Sequence, residues 1–407
     1  MKKTRIVLLS DHAKGGAALV PNLLASSMAE NPAFEVQRWH FDPQSQPGAF
    51  PPGVREISFS TGKKRPPLER IIKNISKRFA SMLRNHRHER SLLSAVSAER
   101  PDLIHLHNIH SSDLNHATLL KLPPDIPIIW TMHDFWPLKG AAFRWTEKET
   151  GHHELYEVGR WSRKSLLNMR DDLFKSRRNI TLVAPSQYVR DMTRHYISRN
   201  NLSCEVIPYV VKQDFFSLHD KVAAKQRWSL DPGLLWIGVG STWNNSRKGM
   251  DVLWRALAEI NCNGLGLLIW GGMPEVPGHF EGLRINNVGT VSDPLAVASL
   301  YAAVDAFVCP TKADTGPLTV IESMASSTPP IASSVGGIPE RVKHGQNGLL
   351  FPTQDHASLA KLLTEVRQGK WNLSELGHQA RQYAMENCTP NHQLYQYTAL
   401  YHRILAQ

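Results

Sequence analysis

Two acidic residues, Asp314 and Glu322, enclose a segment of seven residues that holds a turn and the predicted start of a helix. Gly316 and Pro317 predict the turn, and Pro317 suits the first position of the helix. Backbone N–H groups near Gly316 and Leu318 would attract an anion, because the positive end of the helix dipole lies behind them. The carboxylates accept hydrogen bonds from hydroxyl groups. The segment therefore predicts a site for a ligand that carries both hydroxyl groups and phosphate.

Two adjacent cations, Arg247 and Lys248, lie between a predicted strand that ends at Gly240 and a helix that begins near Met250. Positive side chains are mildly unfavourable at a helix start, because the helix dipole has its positive end there. A bound anion removes this repulsion, and a diphosphate would satisfy both cations together with the loop amides. The pair therefore predicts a second phosphate-binding element.

Two glycines, Gly15 and Gly16, follow the first predicted strand and precede a predicted helix, Leu19–Ala29. Glycine at such a turn allows the backbone to approach a ligand, and the helix start favours negative charge. The alternative is that the turn needs glycine only for its own geometry. Both interpretations remain open from these residues alone.

His133 and Asp134 follow a predicted apolar strand, at the place where open α/β sheets bind their ligands. A histidine there can hydrogen-bond a ligand hydroxyl or handle a proton. The alternative is a structural pair in which Asp134 caps the next segment. His105 and His107 alternate along another predicted strand, and we expect at most one of them to face the ligand.

Short strands alternate with amphipathic helices along the whole chain, which is typical of parallel sheets built from β-α-β units. The alternation stops in a polar stretch, 211–232. We predict an α/β fold with domains 1–215 and 216–385 and a C-terminal helix, 386–407, that crosses back to the first domain. The predicted strands are Arg5–Ser10, Glu35–Phe41, Arg55–Phe59, Leu103–His107, Ile126–Met132, Thr181–Pro185, Glu205–Pro208, Leu235–Gly240, Gly266–Trp270, Asn286–Val291, Ala306–Cys309, Pro330–Ser333 and Leu349–Phe351. Further predicted helices are Asp251–Ile260, Ala296–Ala303 and Leu318–Ser326.

The residue composition indicates the cellular compartment and the kind of binding partner. The chain has 407 residues and four widely spaced cysteines, which favours two domains and a reducing cytoplasm. No apolar run approaches the roughly 20 residues of a membrane-spanning helix, and the first one is too short for a signal peptide. The net charge of +11 favours anionic partners. Nucleic acid is not expected among them, because no basic platform with stacked aromatic residues is present.

Much of the positive charge lies in the basic segment, Lys63–Arg90, which holds ten lysines and arginines against two glutamates. Apolar residues recur within it at helical spacing and predict an apolar stripe beside a basic face. One interpretation is a helix on an anionic membrane surface, at the inner face of the plasma membrane. The other, slightly favoured, is a solvated helix whose stripe packs on its own domain.

The four sites, in this order, resemble the retaining glycosyltransferases of family 4. This family has the GT-B architecture, in which two doubly wound, Rossmann-like domains face each other. The most specific part of the resemblance runs from Asp314 through Glu322 to Phe351. The segments H-L-H-N-I-H-S-S-D-L-N and W-T-M-H-D-F-W look closest to the branch that builds exopolysaccharides, including transferases of the colanic-acid type.

The resemblance implies a donor site for a nucleotide sugar. Glycines of the first turn, here Gly15 and Gly16, approach the donor diphosphate in this family, and a cation pair, here Arg247 and Lys248, clamps it. The first acid, here Asp314, contacts hydroxyls of the transferred sugar. The remaining implied site residues are Gly316, Pro317 and Leu318 at the donor, Glu322 at the nucleotide ribose and His133 near the reacting sugar. Family members need neither metal nor cofactor.

The implied function is the transfer of a hexose or deoxyhexose to a polysaccharide, lipopolysaccharide or lipid-linked oligosaccharide. The first acid is usually glutamate in this family, so the shorter Asp314 leaves the donor sugar open. Two alternatives share the fold. One is a sugar-nucleotide epimerase or a phosphorylase, although no pyridoxal phosphate lysine site is recognisable. The other is a non-catalytic binding protein, since a fold does not determine an activity.

Overall fold

The computed structural model describes most of the chain, with gaps in loops and in the basic segment. The described residues are 3–13, 16–42, 50, 53–59, 77–109, 112, 114–139, 143–144, 155–156, 163–217, 219–240, 246–272, 276–278 and 280–407. They fall into two compact units. The first unit contains residues up to Pro208 together with Gln393–Gln407, and the second contains Tyr209–His392.

The first unit is built on a seven-stranded parallel sheet with strand order β3-β2-β1-β4-β5-β8-β9. A separate antiparallel pair is formed by β6 and β7. The strands are β1 (Thr4–Ser10), β2 (Phe34–His40), β3 (Val54–Ser58), β4 (Leu103–Leu106), β5 (Ile128–Thr131), β6 (Phe143–Arg144), β7 (Leu155–Tyr156), β8 (Ile180–Ala184) and β9 (Ser203–Val206). The helices are Gly16–Ala29, Lys77–Glu99, His116–Leu120, Trp136–Lys139, Arg163–Ser176, Gln187–Arg199 and Pro390–Leu405, the last of which begins in the second unit.

Both faces of this sheet carry a hydrophobic core. Ile6 and Leu8 of β1 belong to the cluster that contains Leu24 of the first helix. Val7 and Leu9 belong to a second cluster that contains Leu92 and other residues of the helices on the opposite side. Successive residues of a strand point to opposite faces, so a strand segment buried on both sides must be apolar on both, as Ile6–Leu9 of β1 is.

The second unit contains a six-stranded parallel sheet with strand order β12-β11-β10-β13-β14-β15. Its strands are β10 (Leu235–Gly240), β11 (Leu265–Trp270), β12 (Arg284–Asn287), β13 (Ala306–Cys309), β14 (Pro330–Ser334) and β15 (Leu349–Pro352). Its α-helices are Lys221–Arg227, Met250–Ala258, Pro294–Ala303, Leu318–Ala325, Ile338–Arg341, His356–Arg367 and Leu373–Asn387, with 3₁₀ helices at Gln213–Phe216 and Ser246–Lys248. In both sheets the strand order reverses beside the first strand, β1 in one and β10 in the other.

The predicted α/β fold class is confirmed, and each predicted strand has a counterpart in one of the two parallel sheets. Two predictions were displaced toward the C-terminus: Glu205–Pro208 corresponds to Ser203–Val206, and Asn286–Val291 corresponds to Arg284–Asn287. Both are edge strands with partly exposed residues, so their apolar pattern is weak. The pair β6 and β7 was not predicted at all.

The described helices include none that is both long enough and apolar enough to cross a lipid bilayer. The helix Lys77–Glu99 contains the end of the basic segment, whose residues 63–76 lie outside the described part of the chain. Farther along this helix, Leu92 and Val96 are buried in the core of the first unit. That half of the helix therefore packs on its own domain.

Candidate active site

A cluster of one carboxylate and two cations lies where the strand order of the second sheet reverses. Arg247 and Lys248 follow β10, and Asp314 follows the neighbouring strand β13. Nη1 of Arg247 and Nζ of Lys248 each lie 2.9 Å from the same oxygen, Oδ2 of Asp314. Two cations on one carboxylate leave a net charge of about +1, so the cluster still attracts an anion. Ligands of open α/β sheets bind at such a reversal.

Asp314 is only 7% exposed, yet it stays ionised at neutral pH. Burial by itself raises the pKa of this carboxyl group, but the charges of Lys248 and Arg247 outweigh it and lower the pKa to about 2. The backbone N–H of Gly316, 3.3 Å from Oδ1, also favours the charged form. The cluster is therefore a stable arrangement of three charges over the physiological pH range.

Backbone hydrogen bonds hold the two loops of the cluster together. The carbonyl oxygen of Arg247 accepts hydrogen bonds from the backbone N–H of Lys312, at 2.8 Å, and from Oγ1 of Thr311, at 3.1 Å. Gly249 has φ +73°, and a Cβ there would lie 1.9 Å from the carbonyl oxygen of Pro310. Only glycine allows the loops to approach so closely in this left-handed conformation.

A second glycine supports the loop of Asp314 from behind. Gly336 has φ +60°, and a Cβ there would lie 1.7 Å from the carbonyl oxygen of Asp314. Any larger residue would push the Asp314 loop away from its cations. The first of the two consecutive glycines in the sequence V-G-G-I-P therefore has a steric reason at this position.

The helix Leu318–Ala325 begins directly after this loop. Pro317 is the residue before the first helical one, so the prediction of Pro317 as the first helical residue was off by one position. Pro317, at the cap position, makes no side-chain hydrogen bond to this helix start. Arg341 donates a hydrogen bond from Nη1 to the carbonyl oxygen of Tyr209, at 3.0 Å, and its Nη2 lies 3.9 Å from the place of a Cβ on Gly316. Helix start and guanidinium together favour an anion near Gly316.

Glu322 lies in this helix and accepts a hydrogen bond at Oε2 from the hydroxyl group of Tyr301, at 2.8 Å. The buried ring of Tyr301 in turn contacts the rings of Trp270 and Phe307, each at a centroid distance of 5.0 Å. Burial raises the pKa of Glu322 to about 7, although the Tyr301 hydrogen bond and the charge of Lys212 act against the rise. Its protonation state therefore changes near neutral pH.

Sequence reasoning missed both Tyr301 and Arg341. Tyr301 lies in the helix Pro294–Ala303, whose apolar sequence gives no sign that one hydroxyl reaches Glu322. Arg341 stands at the end of a four-residue helix and is 5% exposed. An arginine so deeply buried would have been a signal, but burial of a charged residue is not visible in one sequence.

In the first unit, the structure describes only one of the two predicted glycines. Gly15 lies outside the described residues, and Gly16 is the first residue of the helix Gly16–Ala29. This helix follows β1, whose neighbours β2 and β4 lie on opposite sides of it. The start of this helix therefore follows the strand at which the order of the first sheet reverses, as the cation pair follows β10 in the second.

His133 follows β5 and is 9% exposed, and its Nε2 lies 2.9 Å from Nδ1 of His107. Asp134 accepts a hydrogen bond at Oδ1 from the backbone N–H of Trp136, at 2.8 Å, so it has the structural role of the alternative interpretation. The prediction that at most one of His105 and His107 faces the ligand assumed that they lie on opposite faces of the strand, and that assumption is wrong. Their rings lie side by side, 4.3 Å apart, because residues two apart in a strand share a face. Of the two, His107 contacts His133.

Metal-ligating side chains do not assemble within the described residues: no three histidine, cysteine, aspartate or glutamate side chains come together as an ion-binding group there. The cysteines Cys204, Cys262, Cys309 and Cys388 are all free thiols.

Comparison with protein families matches both halves of the chain. The model for glycosyl transferases group 1 matches residues 232–368, and the model for Glycosyltransferase Family 4 matches residues 53–214. The D-inositol 3-phosphate glycosyltransferase of Streptomyces bingchenggensis is 25% identical over 314 residues, which is 72% of this chain and 65% of that protein. The same enzyme of Streptomyces avermitilis is 24% identical over 313 residues, 72% of this chain and 64% of that protein. The chain thus matches slightly less than two thirds of the length of these relatives.

Solved structures with the same fold cover nearly the whole chain. Sucrose-phosphate synthase from Thermosynechococcus elongatus superposes with a TM-score of 0.76 at 20% identity, over 99% of this chain and 100% of that one. Anabaena HepE in complex with UDP and glucose has a TM-score of 0.69 at 16% identity, over 97% and 98%. These likenesses confirm the predicted GT-B fold. With both family models matched in sequence order, the chain belongs to the family 4 glycosyltransferases.

Proposed function

We propose that this chain is a retaining glycosyltransferase that moves a hexose or deoxyhexose from a nucleotide sugar to a hydroxyl group. The observation that carries the proposal is the shared contact of Arg247 and Lys248 with Asp314. This contact places two cations beside the helix start at Leu318, together with a carboxylate that can accept hydrogen bonds from hydroxyl groups. A diphosphate and a sugar joined to it require these groups in the same place.

The proposed reaction breaks the bond between the anomeric carbon of the sugar and an oxygen of the diphosphate. Negative charge grows on the departing phosphate, where Arg247 and Lys248 stabilise it together with the amides near Gly316 and Leu318. The acceptor hydroxyl attacks from the same face, and its proton passes to the leaving phosphate oxygen. The atoms and charges balance without a separate base, a metal or a cofactor.

The remaining roles divide between the two units. We assign Asp314 to hydroxyls of the transferred sugar and Glu322 to hydroxyls of the nucleotide ribose. In the first unit, Gly15 and Gly16 approach the diphosphate, and His133 stands near the reacting sugar. HepE, which shares the fold, forms complexes with UDP and with glucose, which supports a nucleotide sugar as the donor.

The acceptor proposal is a hydroxyl of a polysaccharide, lipopolysaccharide or lipid-linked oligosaccharide. It rests on the sequence likeness to exopolysaccharide transferases. Among the structures with this fold is WaaG, described as a glycosyltransferase involved in lipopolysaccharide biosynthesis, with a TM-score of 0.60 at 16% identity over 94% of this chain and 95% of that one. An acceptor of this class is carried at a membrane in a cell.

Release of nucleoside diphosphate tests the proposal directly. Purified protein is incubated with a panel of nucleotide sugars, with and without a bacterial membrane extract as the source of acceptor. We expect release from one donor that depends on the extract. No release from any donor would refute the proposal, and release without transfer of label to glycan would replace it by simple hydrolysis.

Lys248→Met is the variant that isolates the cation pair. We expect kcat to fall about 10²–10³-fold, the usual effect of removing one group that stabilises transition-state charge. Lys312→Met is the matched control, because Lys312 lies in the adjoining loop that carries Asp314 but its side chain pairs with Asp251 at 3.0 Å. Equal losses in the two variants would show that the loop, and not the cation, is responsible.

The basic segment, Lys63–Arg90, is the part proposed to meet an anionic membrane surface. Its described portion includes His88, whose Nδ1 lies 2.7 Å from the carbonyl oxygen of Ser112, and this contact with its own unit favours the packing alternative for that end. Co-sedimentation with phosphatidylglycerol and with phosphatidylcholine vesicles decides between the two. A surface helix predicts binding to the anionic vesicles alone, weakened by salt. Absence of binding to both would establish the packing alternative.

A further inference from the structure

Three imidazoles form a buried row in the first unit. His105 and His107 lie at the end of β4, and His133 lies after the neighbouring strand β5. Their exposed fractions are 0%, 1% and 9%. The centroids of the His105 and His107 rings are 4.3 Å apart, and those of His107 and His133 are 5.1 Å apart. One hydrogen bond of 2.9 Å joins Nδ1 of His107 to Nε2 of His133.

A hydrogen bond between two imidazole nitrogens holds a single proton, so one ring must donate and the other must accept. If His107 donates from Nδ1, its own Nε2 carries no proton and can only accept a hydrogen bond. If His107 accepts, its Nε2 must carry the proton of the neutral ring. Nε2 of His107 is buried and has no hydrogen-bond partner within the described part of the chain.

The environment of His107 decides between these two arrangements. A buried N–H without a partner is rarer in proteins than a buried acceptor without one, so a bare Nε2 is the better state. Burial, and then the neighbouring His105 and His133, hold the pKa of His107 well below its ordinary value. The ring is therefore neutral and has only one proton to place, at Nδ1.

We propose that His107 is a positioning residue for His133: Nδ1–H of His107 donates to Nε2 of His133 and keeps the proton of His133 on Nδ1. This rests on the proposed function, in which His133 stands near the reacting sugar. His133 then donates a hydrogen bond to a substrate oxygen from Nδ1–H. Its unprotonated nitrogen, Nε2, already accepts the hydrogen bond from His107. The acceptor's proton consequently goes to the leaving phosphate.

The other side of the row holds His107 in place. Nδ1 of His105 lies 2.7 Å from the hydroxyl oxygen of Tyr401, and its Nε2 lies 2.7 Å from Oγ1 of Thr131. Thr131 in turn contacts the hydroxyl group of Tyr397, at 2.9 Å. With both nitrogens engaged, the His105 ring is fixed, and it packs at a tilt of 32° against the His107 ring.

Nitrogen NMR of the full chain with ¹⁵N-labelled histidine locates the proton. Two-bond couplings between ring nitrogens and ring protons distinguish the two tautomers, and His133→Gln assigns the signals of His133. At pH 7 we expect a neutral His133 ring with its proton on Nδ1. A proton on Nε2, or on both nitrogens, would overturn the proposal.

Substitutions at position 107 separate positioning from packing. His107→Asn keeps an N–H close to the place of Nδ1, so we expect it to preserve the tautomer of His133 and most of kcat. His107→Asp offers only acceptor oxygens when ionised, and we expect it to move the His133 proton to Nε2 and to lower kcat about tenfold or more, with a smaller change in the KM of the donor. Equal behaviour of the two variants in the NMR spectrum would refute the proposal.

Tyr401→Phe is the control, because it removes a hydrogen bond of the same buried row without touching His133. We expect the His133 signals to remain as in the unchanged protein, and a tautomer shift as large as in His107→Asp would overturn the assignment to His107. The NMR readout needs no donor sugar. Protein that transfers no sugar but shows the expected tautomer would thus contradict the proposed function while upholding the role of His107.

Discussion

At the scale of single residues, the two acids of the donor site differ in protonation although they lie eight positions apart in sequence. Asp314 has two cations on its carboxylate, and its pKa falls to about 2. Glu322 accepts a hydrogen bond from Tyr301, and burial raises its pKa to about 7. One acid is therefore a fixed charge, and the other responds to pH in the physiological range.

We expect the affinity for the donor to increase as the pH rises from 6 to 8. An ionised Glu322 accepts hydrogen bonds from ribose hydroxyls, whereas the neutral form, favoured below its pKa of about 7, must first lose its proton. The association constant should rise up to about tenfold per pH unit below that pKa and level off above it. Titration calorimetry with a nucleotide sugar measures it, with Glu322→Gln as the pH-independent reference. A flat profile for the unchanged protein would remove Glu322 from the ribose site.

The same acid affects folding stability in the opposite sense. Because its pKa is raised above the ordinary value, its contribution to stability is complete at acid pH and is lost as the pH rises past about 7. Donor binding and folding stability thus favour different protonation states of Glu322. A site residue that costs stability at working pH is commonly found where function requires it.

At the scale of structural elements, the cation loop and the acid loop are joined by close backbone contacts. The bonds to the carbonyl oxygen of Arg247 depend on the approach that Gly249 permits. A substitution at Gly249 would therefore strain the backbone next to the cations Arg247 and Lys248 and not within the strands. The loops can therefore be disturbed without unfolding the sheet.

Gly249→Ala tests this loop contact, with Gly264→Ala as its control. Both glycines have positive φ, +73° and +82°, but a Cβ on Gly264 meets nothing within 4 Å. We expect Gly264→Ala to cost about 1–2 kcal/mol of unfolding free energy from backbone strain alone. Gly249→Ala should cost more and should also abolish most transfer. Chemical denaturation and a transfer assay measure both, and identical effects would show that the contact with Pro310 is unimportant.

At the scale of the whole molecule, the end of the chain completes the core of the first unit. Tyr397, Leu400 and Tyr401 are buried in the same cluster as Ile6 and Leu8 of β1. The helix that carries them starts at Pro390, in the second unit. The stability of the first unit therefore depends on residues nearly 400 positions from its first strand.

Two tyrosines of this helix provide a matched pair of substitutions. Tyr401 is fully buried, so Tyr401→Ala should lower the unfolding free energy by about 3–5 kcal/mol, as for other large buried rings. Tyr395 is 77% exposed, and Tyr395→Ala should change it by no more than about 0.5 kcal/mol. Urea titration followed by tryptophan fluorescence measures both. A small effect at Tyr401 would mean that the helix contributes little to the core.

The sequence predicted the strands well because buried parallel strands are short, apolar and bounded by turn residues. It also predicted that Arg247, Lys248 and Asp314 follow strands of one domain, and the structure brings their side chains into contact. Tyr301 and Arg341 were not predicted, because their contacts join distant elements and leave no spacing pattern. The steric need for Gly249 and Gly336 likewise depends on backbone distances that no pattern of residue types contains.

The return of the C-terminal residues to the first unit has a consequence for synthesis on the ribosome. The six strands of the second sheet all lie between Tyr209 and His392, so they are made before Gln393–Gln407. The first unit is begun first but lacks Gln393–Gln407 until those residues have also been synthesised. Domains usually fold in the order of their synthesis, but here the first to emerge is the last to complete its core. Nascent chains stalled before residue 393 should accordingly present the apolar surface around Ile6 and Leu8 to chaperones.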